Sequence, residues 1–368
     1  MPSIKSVTAQ AFHYFARSHA GGMRNEAITS PCAWIGQELM KTPDRYTITL
    51  TAEQIREVKA VITSVMSSGK PMATLISSDF AWPLLDPIIA DIKAELLTGL
   101  GFKLICGFPV EAWSQQESEF FFWGWGLHLG LCGAQDNSGE LLGHVMDIGA
   151  DPNLVRQYKT RGAIDYHCDA ADVVGLMCLS ASASGGESTL VSSATAYNRF
   201  LTNHPDLVET LYRPFLLDTR GSGGINCVPI EPLRHGTDGR LRTFWHNEYY
   251  RSCYGKDGAP AAMPDAHLAA WKAYDAIIHE PSMPVRMQLQ PGDVQMCSNH
   301  YILHARTAYE DAIGDDNKRR HLLRLWLSLD ARMGAGDIAS KAWHTAVVVT
   351  RFVRAKLYAR LGLMWTLD

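Results

Sequence analysis

A His-x-Asp tripeptide is the first feature of this chain whose residue types and spacing suit metal chemistry. It lies in the stretch Tyr166-His167-Cys168-Asp169. On a β-strand, side chains alternate between two faces, so His167 and Asp169 would point the same way and Cys168 the opposite way. An imidazole beside a carboxylate supplies two of the three ligands of a 2-His-1-carboxylate facial triad. Such a triad holds Fe(II) and leaves coordination positions open for reaction.

The third ligand of such a site has two candidates, His300 and His304. Both lie in the segment 299–306, which follows a predicted strand at 294–298 and the turn signal Pro291-Gly292-Asp293. The residues alone do not decide between the two histidines.

Two arginines near the end of the predicted core suggest an anion site. Arg320 and Arg324 are an even number of residues apart, so they share one face of a predicted strand at 321–329. Buried guanidinium groups need anionic partners, and the fork of an arginine matches both oxygens of a carboxylate. A dicarboxylate cosubstrate is one such partner, and an internal Asp or Glu is the alternative. The hydroxyls of Ser188 and Thr189 offer a further hydrogen bond to the same carboxylate.

Composition limits the class of protein. The 368 residues are 46% apolar and 20% charged, which is ordinary for a globular chain, and the length allows one large domain or two medium ones. The net charge of −4 gives no indication of a nucleic-acid partner. No apolar run resembles a signal peptide or a membrane span. The eight cysteines form no Cys-x-x-Cys pair, which predicts reduced thiols in a cytoplasmic protein.

The pattern of apolar residues predicts helices in the first half and short strands in the second. We expect residues 1–45 to form an irregular arm, and Thr51 with Gln54 to begin a helix through a capping box. Aromatic residues at 120–125 are expected to form the core of a helix. Further predicted helices lie at 87–98, 194–202, 205–212, 266–279 and 341–361. Predicted strands lie at 102–106, 173–180, 188–192, 241–250, 285–290, 294–298 and 321–329.

This pattern predicts a β-sandwich or barrel core buttressed by helices. We expect a single domain over 1–368, with a helical front at 1–150, a core at 160–330 and a helical tail at 340–368. Gly124, Gly126 and Gly130 have the wrong spacing for a dinucleotide loop, and no phosphate-binding loop or serine-hydrolase elbow is present.

Taken in order, the motifs resemble those of a known family. The runs at 167–169, 185–188, 299–306 and 320–326 are similar to those of the Fe(II)/2-oxoglutarate-dependent dioxygenases of the taurine dioxygenase and clavaminate synthase-like superfamily, with the fungal branch closest in texture. The resemblance extends from about Trp34 to Leu329. It implies an α+β, mainly β fold: a double-stranded β-helix (jelly roll) with surrounding helices.

The resemblance also implies roles for individual residues. Fe(II) would be held by His167, Asp169 and His304 rather than His300. 2-Oxoglutarate would bind Arg320, assisted by Ser188, or by Thr189 if the alignment shifts by one residue. Arg324 and Gln135 would contact the substrate. Ala305 replaces the glycine usual in the family, and the presence of Asp169 argues against a halogenase, in which a small residue stands at that position.

The implied reaction uses 2-oxoglutarate and O2 and releases succinate and CO2. It oxidises an unactivated C–H bond by hydroxylation, desaturation or ring closure. We expect a small substrate that carries a carboxylate, such as an amino acid or a secondary metabolite, and no nucleic-acid or membrane partner. The alternatives are a jelly-roll metal enzyme that does not use 2-oxoglutarate and a non-catalytic binding protein of the same fold.

Overall fold

A computed structural model describes most of the chain. It covers residues 3–18, 22–151, 155–221, 225–236, 239–256, 259–312 and 319–329, with 346, 349–350, 353–355 and 357. The few described residues of the predicted tail at 340–368 are helical, and the rest of that prediction lies outside the described residues.

Helices surround the sheets and begin where the sequence provides caps. The capping box is confirmed: the Gln54 backbone N–H donates to Thr51 Oγ1 at 3.3 Å, and the Thr51 N–H donates to Gln54 Oε1 at 2.8 Å. The described α-helices are α1 (Val7–Ser18), α2 (Gly36–Leu39), α3 (Ala52–Ser67), α4 (Asp86–Thr98), α5 (Gln115–Leu129), α6 (Ser193–Asn203), α7 (Asn247–Cys253) and α8 (Asp265–Ile278). The segment predicted as a helix at 205–212 is a 3-10 helix, Pro205–Tyr212.

The strands are mostly short. Those before residue 200 are β1 (Ser3–Ile4), β2 (Thr47–Thr49), β3 (Phe102–Cys106), β4 (Leu131–Gly133), β5 (Leu142–Val145), β6 (Ile164–His167), β7 (Val173–Ser180), β8 (Ser184–Gly185) and β9 (Ser188–Ser192). Those after it are β10 (Phe215–Asp218), β11 (Cys227–Ile230), β12 (Leu233–His235), β13 (Leu241–Thr243), β14 (Val285–Met287), β15 (Val294–Ser298), β16 (Ile302–Arg306), β17 (Tyr309–Glu310) and β18 (His321–Ser328).

Two main sheets position the site. The larger has the order β1-β4-β18-β7-β15-β3-β2, with β5 also paired to β18, and the smaller has the order β14-β9-β16-β6. One hydrophobic cluster contains Val174 and Leu322 from the larger sheet together with Leu190 and Ile302 from the smaller. The sheets therefore share a core, and the architecture is a mixed α+β fold with several sheets.

The opposite face of the larger sheet is covered by helices α3, α4 and α5. Phe121 and Trp125 of α5 are fully buried in a cluster that also contains Val173 and Leu323. The prediction that the aromatic run at 120–125 forms the core of a helix is confirmed.

The N-terminal segment 1–45 is not an irregular arm, and that prediction is wrong. β1 pairs in parallel with β4, and α1 is docked by buried polar contacts. Gln10 Nε2 donates to the Ala170 carbonyl at 3.1 Å and to Ser328 Oγ at 3.0 Å. These partners are distant in sequence, so local periodicity carried no signal for them.

The strand predicted at 241–250 is also wrong beyond Thr243, because α7 begins at Asn247. Trp245 and Tyr250 are both fully buried, with ring centroids 5.7 Å apart. Their five-residue spacing does not fit one face of a strand. Trp245 lies just before α7 and Tyr250 lies within it, and the two rings meet in the core.

The expectation of reduced cysteines is wrong for one pair, because Cys227 and Cys253 form a disulfide. The other six are free thiols. Among the described helices, none combines the length and apolar character needed to cross a membrane.

Candidate active site

Three potential metal ligands converge between the two sheets. Strand β6 carries His167, with Asp169 two residues further on, and the neighbouring strand β16 places His304 directly opposite His167. His167 Nε2 lies 4.0 Å from Asp169 Oδ1, and His304 Nε2 lies 3.6 Å from Asp169 Oδ2. Both distances are less than twice a usual metal–ligand bond of about 2.1 Å. One ion can therefore contact both atoms of each pair.

The protonation states of His167 and Asp169 suit ligands of a metal cation. His167 Nδ1 donates to the Asp165 carbonyl at 2.8 Å, which leaves Nε2 free to coordinate. Burial, with a smaller contribution from His304, lowers the pKa of His167 to about 4. Burial alone would raise the pKa of Asp169, but the contact with His304 and the charge of Arg324 outweigh it and lower that pKa below its usual range. The site therefore offers a neutral imidazole and an ionised carboxylate.

The structure keeps the other histidine candidate away from this cluster. His300 is buried, its Nε2 lies 2.9 Å from Asp172 Oδ1, and its ring stacks on Tyr14 with the centroids 4.9 Å apart. It is therefore held in the core by other partners, as expected if His304 is the third member of the cluster.

A second group with metal-ligand chemistry lies nearer the surface. Asp165, Asp275 and His279 have donor atoms within 4.8 Å of one another, and Asn247 donates to both carboxylates. The hydrogen bond to Asp165, followed by that to Asp275, raises the pKa of His279 to about 10. A protonated His279 is thus the cation of this group, which explains its two carboxylates without a metal.

A positively charged cavity of about 60 Å³ adjoins the three converging ligands. Arg320 is 5% exposed, and its Nη1 has no hydrogen-bond partner in the part of the chain described. Its guanidinium carbon lies 5.0 Å from the ring centre of Tyr309. Burial lowers the pKa of Arg320. A Cβ atom at Gly186 would meet Arg320 Nε at 2.9 Å, so the glycine makes room for this side chain.

Ser188 and Thr189 lie on opposite faces of β9. Ser188 lines the cavity with Arg320, and its hydroxyl is within 3.1 Å of Gln295 Oε1. Thr189 points the other way and hydrogen-bonds Tyr166. Of the two predicted hydroxyls, only Ser188 reaches the cavity, because side chains alternate along a strand.

Arg324 shares the face of Arg320 and lies beside the converging ligands. It is 7% exposed, and its guanidinium carbon is 4.2 Å from the ring centre of Tyr158. No carboxylate oxygen of a described residue lies within 4.0 Å of a guanidinium nitrogen of either arginine. The Arg320 backbone N–H donates to Asp311 Oδ1 at 2.8 Å, so Asp311 contacts the main chain of Arg320 and not its guanidinium group. The internal ion pair considered as an alternative is therefore not observed.

Gln135 hydrogen-bonds Arg324 and does not itself line the cavity. Arg324 Nε donates to Gln135 Oε1 at 2.6 Å, and Gln135 Nε2 donates to the Arg324 carbonyl at 2.8 Å. Gln135 is fully buried, and a Cβ atom at Gly143 would meet its Oε1 at 2.7 Å. Both polar atoms of the Gln135 side chain are thus engaged by Arg324, and the substrate contact by Gln135 stays a prediction.

Sequence reasoning missed two residues of this site. Arg306 follows His304 by two positions on β16 and lines the same cavity, so the period of two could have found it. Burial and the charge of Arg320 lower the pKa of Arg306 to about 10. His246 lies beside His167, with ring centroids 5.1 Å apart, and no motif indicated it.

Comparison with known proteins agrees with this geometry. The sequence profile described as "Taurine catabolism dioxygenase TauD, TfdA family" matches residues 68–326. The chain belongs to this family. It is therefore a 2-oxoglutarate-dependent dioxygenase with Fe(II) as its metal, which decides against the two alternatives considered above.

Two relatives of this TauD/TfdA chain cover most of its length. FR-33289 synthase of Streptomyces rubellomurinus is 29% identical over 270 residues, covering 70% of this chain and 77% of its own. The taurine hydroxylase-like protein SAT17 of Stachybotrys chartarum is 26% identical over 329 residues, covering 85% and 81%. The second relative loosely supports the predicted fungal affinity.

Solved structures share the fold at low sequence identity. Asparagine oxygenase in complex with Fe(II), 2S,3S-3-hydroxyasparagine and succinate has a TM-score of 0.59 and 17% identity, covering 77% of this chain and 94% of its own. The non-heme iron oxygenase OrfP in complex with Fe and alpha-ketoglutaric acid has a TM-score of 0.57 and 13% identity, with the same coverage.

Proposed function

We propose that this chain binds Fe(II) through His167, Asp169 and His304 and uses it to oxidise a C–H bond of a small carboxylate-bearing substrate. With 2-oxoglutarate and O2, the metal supplies the oxidising power, and succinate and CO2 are released. The observation that carries the proposal is the convergence of these three ligands beside two buried arginines whose guanidinium groups lack an ion-pair partner among the described residues.

The cosubstrate would bind in the cavity that Arg320 and Ser188 line. Arg320 and Arg306 are both buried there, and the pKa of each is lowered. A carboxylate between the two guanidinium groups would stabilise their buried charges, since a buried charge is stable only when it is paired and hydrogen-bonded. Thr189 faces away from the cavity, so we assign the hydroxyl contact to Ser188.

The substrate carboxylate would bind Arg324. Its Nη2 is buried without a hydrogen-bond partner in the described structure, and its Nε is held by Gln135. Gln135 thus acts as a positioning residue, whose amide fixes the orientation of the guanidinium. The asparagine oxygenase complex contains 2S,3S-3-hydroxyasparagine and an OrfP complex contains (3S)-hydroxy-L-Arg, which supports an amino acid or a related secondary metabolite here.

The two facing sheets support the finer fold assignment, a double-stranded β-helix within one domain over 1–368. The shared hydrophobic cluster between the sheets is the observation behind this proposal. The six free thiols favour a cytoplasmic location, to which the Cys227–Cys253 disulfide is the exception.

The test compares substrate-dependent and uncoupled turnover of 2-oxoglutarate in the iron-loaded enzyme. Candidate amino acids and other small carboxylic acids are screened for stimulated succinate release. In Arg324→Met, stimulation by the best substrate should collapse while slow substrate-free decarboxylation persists. Equal loss of both activities in a folded variant would contradict the assignment and put Arg324 at the cosubstrate.

His304→Ala tests the metal assignment separately. It should abolish both activities together with iron binding. Retention of stoichiometric iron by that variant would contradict the ligand set.

A further inference from the structure

A second space of about 170 Å³ adjoins the proposed metal ligands, and His167, Asp169 and Arg324 line both it and the cosubstrate cavity. One wall of it is helix α1. Val7, Ala11 and Phe15 recur every four residues, so they lie on one helix face, and all three line the space. Helix α1 lies outside the residues matched by the family profile, which begin at 68. This wall is therefore additional to the part of the chain that defines the family.

The wall is fixed in place by buried contacts. Gln10 bonds the carbonyl of Ala170, the residue that follows Asp169, and it also bonds Ser328 on the larger sheet. Tyr14 is fully buried and stacks on His300. These contacts hold helix α1 in place with its apolar face toward the site.

A second apolar group lines the same space, and it meets α1 where Phe244 packs on Phe15 with the ring centroids 4.9 Å apart. Leu217 and Val228 are cross-strand partners in the β10–β11 hairpin, and Ile225 and Phe244 lie beside them. These four side chains are 7%, 2%, 1% and 4% exposed, respectively. A ligand in this space would therefore meet hydrocarbon from α1 and from the β10–β11 hairpin.

Charge in this space disfavours a cationic ligand. Apart from Asp169, the acidic side chain that lines it among the described residues is Asp218. That carboxylate is 1% exposed and accepts bonds from the Arg220 backbone N–H, the Ser252 hydroxyl and the Lys256 ammonium. It is already neutralised, so it offers no partner to an ammonium or guanidinium group.

We infer that the substrate is an amphiphilic acid whose carboxylate faces Arg324 and whose other end is an uncharged apolar group held between α1 and the β10–β11 hairpin. The inference rests on the proposed function of Arg324. Ala11, with its small side chain at the middle of the apolar face, sets how long or bulky that group can be. Val7 and Phe15 flank it on the same face of α1.

The first test uses pairs of carboxylic acids matched in shape. L-Leucine is compared with its polar isostere L-asparagine, together with a homologous series of straight-chain 2-amino acids with four to ten carbons. Dissociation constants are measured by anaerobic calorimetry on the enzyme loaded with Fe(II) and 2-oxoglutarate. The apolar member should bind at least about tenfold more tightly. Each added methylene should tighten binding about fourfold until the space is filled.

Equal or tighter binding of L-asparagine would overturn the inference, and so would the absence of binding by every member of the apolar series. Failure of the proposed carboxylate site gives a different result. In that case, straight-chain amines without a carboxylate would bind as tightly as the acids, and Arg324→Met would leave both affinities unchanged.

The second test fills the space from α1. Ala11→Leu should abolish the gain in affinity from the longest chains and shift the optimum to a chain shorter by two or three carbons. Ala9→Leu is the matched control, because Ala9 is on the same helix but exposed to solvent. An Ala11→Leu enzyme with an unchanged chain-length optimum and a native melting temperature would exclude α1 as the wall that selects the substrate.

Discussion

Replacement of Arg320 by leucine is the sharpest test of the cosubstrate site. The side chain is 5% exposed, and no carboxylate of a described residue lies within 4.0 Å of its guanidinium nitrogens. Removal of one member of a buried, hydrogen-bonded charge pair costs about 3–5 kcal/mol. Arg306 remains in the same cavity and partly compensates, so we expect the lower end, about 3 kcal/mol. That loss corresponds to a dissociation constant for 2-oxoglutarate about 150-fold weaker.

The assay is anaerobic calorimetry of 2-oxoglutarate binding to the iron-loaded enzyme, with iron content measured on the same sample. Arg319→Leu is the matched control, since the neighbouring Arg319 is exposed, and it should bind like the wild type. Arg320→Leu should not unfold the protein, because it also removes the repulsion between Arg320 and Arg306. Wild-type affinity in an Arg320→Leu enzyme that retains its iron would refute the role.

Three further perturbations have defined outcomes. His304→Ala should lose iron by mass spectrometry, whereas His300→Asn should keep it and lose about 3 kcal/mol of unfolding free energy in urea. The raised pKa of His279, about 10, means that its stabilisation is complete below pH 6.5 and fades as the pH rises to 10. Because His279 is 44% exposed, the gap in unfolding free energy to His279→Gln should be only about 1 kcal/mol at pH 6 and should vanish by pH 10. Reduction of Cys227–Cys253, with a sequence separation of 26, should cost about 3.5 kcal/mol, and a reductant should not affect a double serine variant.

The polar residues of the proposed site include those that short-range sequence patterns could predict. His167 with Asp169, and Arg320 with Arg324, are pairs whose even spacing predicts a shared side, and all four side chains line the same cavity. Asp169 lies two residues past the end of β6, and Arg320 lies one residue before β18. The choice of His304 over His300 came from the resemblance to the dioxygenase family. Residue spacing alone could not choose between the two histidines, since either one fits a strand after the turn.

What the sequence did not reveal depends on contacts between distant segments. Helix α1 lines the cavity only because Gln10 finds partners at 170 and 328, and no local periodicity records that pairing. His246 reaches His167 through a single bridge across 79 positions of chain. The Cys227–Cys253 disulfide likewise depends on α7 packing against the β10–β11 hairpin. Tertiary packing also replaced the last part of the predicted strand at 241–250 with a helix, which begins at Asn247.

The place of β6 at the edge of the smaller sheet has a consequence for how the site opens. One neighbour, β16, runs along it, and on the other side a single bridge joins His167 to His246. Strands with few backbone partners open locally at lower cost than the whole protein unfolds. Under the proposed assignment, an ion held by β6 and β16 together would oppose that opening with its own binding energy. Metal binding would thus stabilise the edge strand β6, and loss of the metal would be coupled to local opening of that strand.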